Sequence, residues 1–178
     1  MSVIQKLLLC LFISCFLNAP AHSQESGKKK AGIEWMDFKS ALTKSSTEPK
    51  KIFIDVYTGW CGWCKRMDAS TFKDSTIVDY MNKNFYAIKL NAEQKESIFW
   101  KDFEFKWVAG GRNGYNELAA IILERQMSFP SFVMLDGEFT RIMISPGFKE
   151  PPALLKQLKF AQEEAYKNGT WEEYQSKS

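Results

Sequence analysis

Apolar residues come in bursts along this chain, and their spacing predicts an alternation of helices and strands. From Ile33 the pattern is helical, with Trp35, Phe38, Ala41 and Leu42 on one face, and it fails at Ser45-Ser46-Thr47-Glu48-Pro49. Lys51 to Tyr57 (K-I-F-I-D-V-Y) is β-branched and aromatic and reads as a buried strand whose odd member is Asp55. Thr58-Gly59-Trp60 then turns the chain into a segment that reads as helix from Cys61 to about Phe72. Asp74-Ser75 breaks it and caps a further helix through Asn82. Phe85 to Leu90 is a second strand. Ser131 to Leu135 and Phe139 to Ile144 read as a hairpin around Asp136-Gly137-Glu138. Pro151-Pro152 opens a last helix with Leu154, Leu155, Leu158 and Ala161 inward. The order is that of an α/β fold: two early strands joined by a helical, hence parallel, crossover, with an antiparallel hairpin at the edge.

The stretch from about Ala92 to Gln126 stands outside this order. It carries Phe99, Trp100, Phe103, Phe105 and Trp107, then Gly110-Gly111-Arg112-Asn113-Gly114, then a helical pattern from Tyr115 to Arg125 through Leu118, Ile121 and Ile122. It reads as an elaborated helix closing the core; a lid or docking surface is the functional alternative. Residues 168–178 form a polar tail with two aromatics that is expected to pack loosely, and Asn168-Gly169-Thr170 fits a glycosylation sequon by chance.

At the other end, Lys6 precedes an apolar run from Leu7 to Leu17, followed by Asn18-Ala19-Pro20-Ala21-His22-Ser23. The run is short for a bilayer span, and its small-residue flank fits a secretory signal cleaved near Ser23; lipoprotein processing at Cys15 is the weaker alternative. The organisation read from the sequence is therefore a signal peptide over 1–23, a polar linker over 24–32, a domain over 33–167 and the tail. The location is periplasmic or otherwise exported, with no stable membrane insertion after cleavage.

Composition narrows the chemistry. The 178 residues are 45% hydrophobic and 15% aromatic, enough for a real core, and a net charge of +3 gives no reason to expect nucleic acid. There are four Cys and one His. Removal of residues 1–23 takes Cys10, Cys15, His22 and Lys6, lowers the charge to +2, and leaves Cys61 and Cys64 alone. No metal site is expected, because zinc wants four ligands; no haem is expected either, because Lys65 stands where the attachment motif has His.

What remains is W-C-G-W-C-K at 60–65. Cys61 at the start of a helix faces unpaired amides and the positive end of the helix dipole, which stabilise a thiolate and make it the nucleophile. Cys64, one turn inside, resolves the mixed disulfide. Lys65 and Arg66 add positive charge nearby.

These residues resemble the thioredoxin family, specifically its exported branch with W-C-x-W-C-K-x-M followed by T-F-x-D: residues 60–74 read W-C-G-W-C-K-R-M-D-A-S-T-F-K-D, and N-K-N-F-Y-A-I-K-L-N follows at 82–91. The resemblance covers roughly 33–160. It implies a thioredoxin fold, a mixed central sheet with flanking helices, here with a helical insert before the cis-proline strand. It implies that Asp55 is the buried carboxylate under the active site and proton acceptor for Cys64, its pKa raised by burial. Lys89 is then the strand lysine near that carboxylate, and Gly147 the glycine of the last loop. In Ser128-Phe129-Pro130-Ser131, Pro130 is implied to be cis and Phe129 to align the substrate backbone. Trp60 and Trp63 flank the cysteines as substrate-facing aromatics, Trp63 replacing the usual proline, and Gly62 supports the motif between them.

The function expected is an exported thiol–disulfide oxidoreductase acting on protein disulfides or dithiols. It needs no cofactor, because the dithiol carries two electrons, and it needs a redox partner to recharge it. A chaperone-like binding module with dispensable cysteines is the rival, and Cu(I) handling by the two thiolates is a third reading.

Overall fold

The computed structural model describes residues 32–177. The signal peptide, the lipoprotein alternative at Cys15 and almost all of the linker lie outside the described residues. A five-stranded sheet, in the order β1 (Trp35–Met36), β3 (Phe85–Asn91), β2 (Lys51–Tyr57), β8 (Ser131–Leu135) and β9 (Arg141–Pro146), forms the middle layer. β2 and β3 run parallel, joined by α2 (Gly62–Ala69), a short 3-10 turn (Thr71–Lys73) and α3 (Ser75–Asn84). β8 runs antiparallel to β2 on its other side and pairs in turn with β9. The parallel crossover and the antiparallel hairpin edge are those expected from the pattern.

Strand alternation assigns the two faces. Ile52, Ile54 and Val56 join Tyr86, Ile88, Leu90, Val133 and Leu135 on one face, beneath α1 (Phe38–Thr47). Phe53 goes to the other, with Met67, Phe72, Ile77, Met81 and Phe132, covered by α2, α3 and α5 (Pro151–Gln162). Phe53 stacks on Phe132 at 5.5 Å, and Phe72 stands edge-on to both. By the same alternation Asp55 points to the α2 face, so β2 delivers a carboxylate to the side where the cysteines lie.

Three expectations are corrected in detail. The helix expected from Ile33 begins only at Phe38: Trp35–Met36 form β1, an edge strand parallel to β3, because Trp35 packs on Phe72 at 5.1 Å and Asp37 caps the helix through the Ser40 amide at 2.7 Å. The helix from Cys61 stops at Ala69, and Phe72 lies in the 3-10 turn. The hairpin turn is longer than Asp-Gly-Glu, because Asp136 Oδ1 accepts from the amides of Glu138 and Thr140 and β9 starts at Arg141.

The insert is helical only in its last part. It holds two small antiparallel ribbons, β4 (Ile98–Trp100) with β5 (Phe103–Phe105) and β6 (Trp107–Val108) with β7 (Tyr115–Asn116), before α4 (Glu117–Ile122). Leu118, Ile122 and Leu123 enter the core under α1, whereas Ile121 points outward. Gly114 has φ +70°, and a Cβ there would lie 2.2 Å from the Trp107 ring, so the loop closes on that indole only with glycine. The tail is also more ordered than its polarity suggests. α6 (Trp171–Ser176) has a capping box between Thr170 and Glu173, and Trp171 and Tyr174 pack on Phe160. The sequon threonine is therefore a helix cap.

Candidate active site

The end of β2 sets the site. Thr58 O accepts the Cys61 amide at 3.2 Å, turning the chain so that Cys61 becomes the cap of α2. Cys61 Sγ accepts from the Cys64 amide at 3.0 Å, and the two cysteines are joined in a disulfide. A sulfur so placed meets a backbone donor and the positive helix end, so the reduced form favours a thiolate at Cys61 over one at Cys64. Both cysteines are nearly covered, at 4% and 5% exposed, while Trp60 and Trp63 stand out at 61% and 55%. Gly62, exposed, opens the helix between them.

The two tryptophans are held differently. Trp63 leans on Phe148 at 5.4 Å, and the Arg66 guanidinium lies over both rings. Arg66, though exposed, is thus also a stacking partner. Trp60 meets the edge of Phe129 at 6.0 Å, and its indole nitrogen donates to Glu93 Oε1 at 2.8 Å. The same oxygen accepts from Asn113 Nδ2 at 3.0 Å, which ties the insert to the site.

In the loop before β8, the Phe129-Pro130 bond is cis, and Pro130 O accepts from the amide of Gly147, whose φ is +84°. Ser131 Oγ donates back to Ser128 O at 2.8 Å and fixes the loop.

Below, Asp55 is 1% exposed, and its Oδ1 has no hydrogen-bond partner among the described residues. Burial pushes its pKa up to about 7; Lys89, whose Nζ is 3.5 Å from Oδ2, pulls the other way, and the Asp68 carboxylate pushes up again. Lys89 sits opposite Asp55 in the β2–β3 register and bonds more closely to Asp68. Its ammonium also lies over the rings of Tyr57, Trp35 and Phe72, at 5.0 to 5.9 Å. A carboxyl titrating near neutrality can accept and return a proton at working pH.

The fold thus joins Cys61 to Cys64 between the exposed Trp60 and Trp63, sets Trp60 against Phe129 beside the cis Pro130, and pairs Asp55 with Lys89 on the adjoining strands. Sequence reasoning passed over Asp68, although it lies one helical turn beyond Cys64, and passed over Glu93, Asn113 and Phe148, which only the tertiary fold brings in. Among the described residues, no group of three or more His, Cys, Asp or Glu is placed to hold a metal ion.

Comparison with known proteins agrees with this geometry. Residues 23–131 match the family model Thioredox_DsbH, described as a protein of unknown function, DUF255. The chain is similar to the uncharacterized protein B0495.5 of Caenorhabditis elegans, 27% identical over 84 residues, covering 47% of this chain and 12% of that protein. It is also similar to the thiol:disulfide interchange protein DsbD of Pseudoalteromonas atlantica, 30% identical over 66 residues, covering 36% of this chain and 11% of that one. It therefore spans only about a tenth of the length of these curated relatives. A solved structure described as DsbH oxidoreductase superposes with a TM-score of 0.55 at 16% identity, covering 82% of this chain and 95% of that one, which shows a common fold.

Proposed function

The chain belongs to the thioredoxin-like family described by Thioredox_DsbH, and from that premise we propose that it is an exported thiol–disulfide oxidoreductase working through Cys61 and Cys64. The observation that carries this reading is the Cys61–Cys64 disulfide at the start of α2, with a buried carboxyl of near-neutral pKa on the strand beneath.

In the reducing direction the Cys61 thiolate attacks one sulfur of a substrate disulfide. A mixed disulfide forms, and the other substrate sulfur leaves as a thiolate. Cys64 gives its proton to the Asp55 carboxylate, and its thiolate attacks Cys61 Sγ. The Cys61–Cys64 disulfide forms, and the second substrate sulfur leaves. Two electrons pass from the dithiol to the substrate, and a dithiol partner of the thiol:disulfide interchange class restores the reduced form. Run backwards, the same steps oxidise a substrate dithiol. Phe129 and Pro130 align the substrate backbone, and Lys89 compensates Asp55 when it is charged.

Insulin-disulfide reduction with dithiothreitol as electron donor tests this. The unaltered protein is expected to accelerate it and Cys61→Ser to abolish the acceleration. Unchanged partner binding with no redox turnover contradicts it and favours the rival binding module, for which the exposed Phe99 and Phe103 of the β4–β5 ribbon speak. Export is read from residues 1–23, with the domain and tail limits as above. A mature protein beginning at Gln24 in the periplasmic fraction supports export, and an intact Met1 in the cytoplasm contradicts it.

A further inference from the structure

The insert does more than close the core. Its loop from Gly110 to Gly114, with Trp60, Tyr115, Met127 and Phe129, lines a groove of about 510 Å³. Two of its walls, Trp60 and Phe129, are the chain neighbours of Cys61 and of the cis Pro130, which sets the groove next to the residues of the proposed reaction.

Its construction points to an occupant. Trp60 keeps most of its surface in water, yet its indole nitrogen is pinned to Glu93, and Glu93 is pinned to Asn113. Holding an exposed aromatic in one orientation costs rotamer freedom and leaves apolar surface wet; both are offset when a ligand covers it. The opposite rim is the glycine-rich loop, in which a Cβ on Gly111 would meet nothing within 4 Å, so that the rim is open at this residue. One residue of each sign, Glu93 and Arg112, lines the groove, and Glu93 Oε1 already accepts two donors, so the lining gives no net charge preference. Apolar contact is what the groove offers. Whatever occupies it while Cys61 reacts is attached close to the attacked sulfur, and in an extended peptide that is a neighbouring side chain.

We propose that this groove is a specificity subsite for protein disulfides whose attacked cysteine is flanked by a large aromatic or aliphatic side chain, with Glu93 the positioning residue that fixes the Trp60 wall. This rests on the oxidoreductase reading above and names its substrate class.

The test compares two disulfide-bonded peptides, identical except for Phe or Ser beside one cysteine, with 2-hydroxyethyl disulfide as a substrate that has no side chain to offer. With dithiothreitol as electron donor, the unaltered protein is expected to turn over the Phe peptide with a kcat/KM about tenfold higher than the Ser peptide, through KM. Glu93→Ala and Met127→Ser are each expected to bring that ratio towards one, and Glu93→Gln, whose amide oxygen still accepts, to restore it. The peptide comparison in the unaltered protein stands even if a variant fails to fold. Equal rates on both peptides, with 2-hydroxyethyl disulfide reduced, overturn the subsite and spare the oxidoreductase reading. Failure to reduce either peptide or 2-hydroxyethyl disulfide overturns that reading and the subsite with it.

Discussion

Asp55 on β2 and Glu93 just beyond β3 are two carboxylates in the surroundings of one dithiol, and the fold treats them in opposite ways. Asp55 is sealed under α2 with one oxygen unpartnered, so its environment acts on its proton. Glu93 is half-buried at the surface, with one oxygen taking bonds from Trp60 and Asn113, so its role is to hold shape. In the proposed mechanism the floor of the site sets when protons move, and in the proposed subsite the wall sets which substrate fits. Changes to the floor should alter chemistry for every substrate alike, while changes to the wall should alter discrimination among substrates.

The sharpest contrast is in stability, because the floor is also core. Phe132→Ala removes a fully buried ring between Phe53 and Phe72 and is expected to cost about 3–5 kcal/mol in urea unfolding. Met127→Ser in the half-buried wall should cost well under half of that. Equal losses would break the distinction.

Next comes Asp55→Asn. The folded state holds the Asp55 proton more tightly than the unfolded chain, whose carboxyl titrates near 3.8. The stability from the neutral carboxyl is fully present below that pH and is lost as pH rises to about 7. The whole change corresponds to about 4 kcal/mol as an upper bound. Asp55→Asn should therefore be more stable than the unaltered oxidised protein at pH 8, and its stability should depend less on pH between 4 and 7. It should also slow resolution of the mixed disulfide for large and small substrates alike. An unchanged pH dependence would remove Asp55 from the account.

Asp68→Asn is subtler. Asp68 shares Lys89 with Asp55 and raises the Asp55 pKa by its own charge. Without it Lys89 turns to Asp55, whose pKa falls, and the pH–rate profile of exchange should move to lower pH. The effect is on the order of 1 kcal/mol, since Asp68 is half-exposed. A profile that moves to higher pH would contradict the shared-lysine arrangement. The smallest change is remote from both carboxylates: Thr170→Ala removes the cap of α6, about 1 kcal/mol of local helix stability, read by hydrogen exchange with activity unaltered.

The floor was legible in the sequence, as were Trp60 and Phe129 in the wall, but the insert residues that hold the wall were not. β2 is a seven-residue run whose one charge inside its ends is Asp55, and the cysteines follow by a turn, so the spacing of Asp55 to Cys61 and the resemblance together pointed to the candidate site. Lys89 could be matched because β3 is a second clear run in register with the first. β1 escaped because two residues carry no periodicity, and their place depends on Trp35 reaching Phe72 across the chain. The ribbons of the insert are two or three residues long, too short for alternation to register, so aromatics at 99–107 read as helix packing. Glu93 and Asn113 are ordinary polar residues until the loop closes over Trp107. The tail helix was hidden by polar composition, though Trp171 and Tyr174 at helical spacing supply the stripe that meets Phe160.

The most direct test of the central claim is covalent trapping. Reduced Cys64→Ser protein, mixed with a disulfide-bonded protein substrate and analysed by mass spectrometry after thiol blocking, is predicted to accumulate a mixed disulfide through Cys61. Cys61→Ser is predicted to accumulate little or none. Accumulation by Cys61→Ser through Cys64, or by neither variant, would contradict the assignment of Cys61 as nucleophile and Cys64 as resolving thiol.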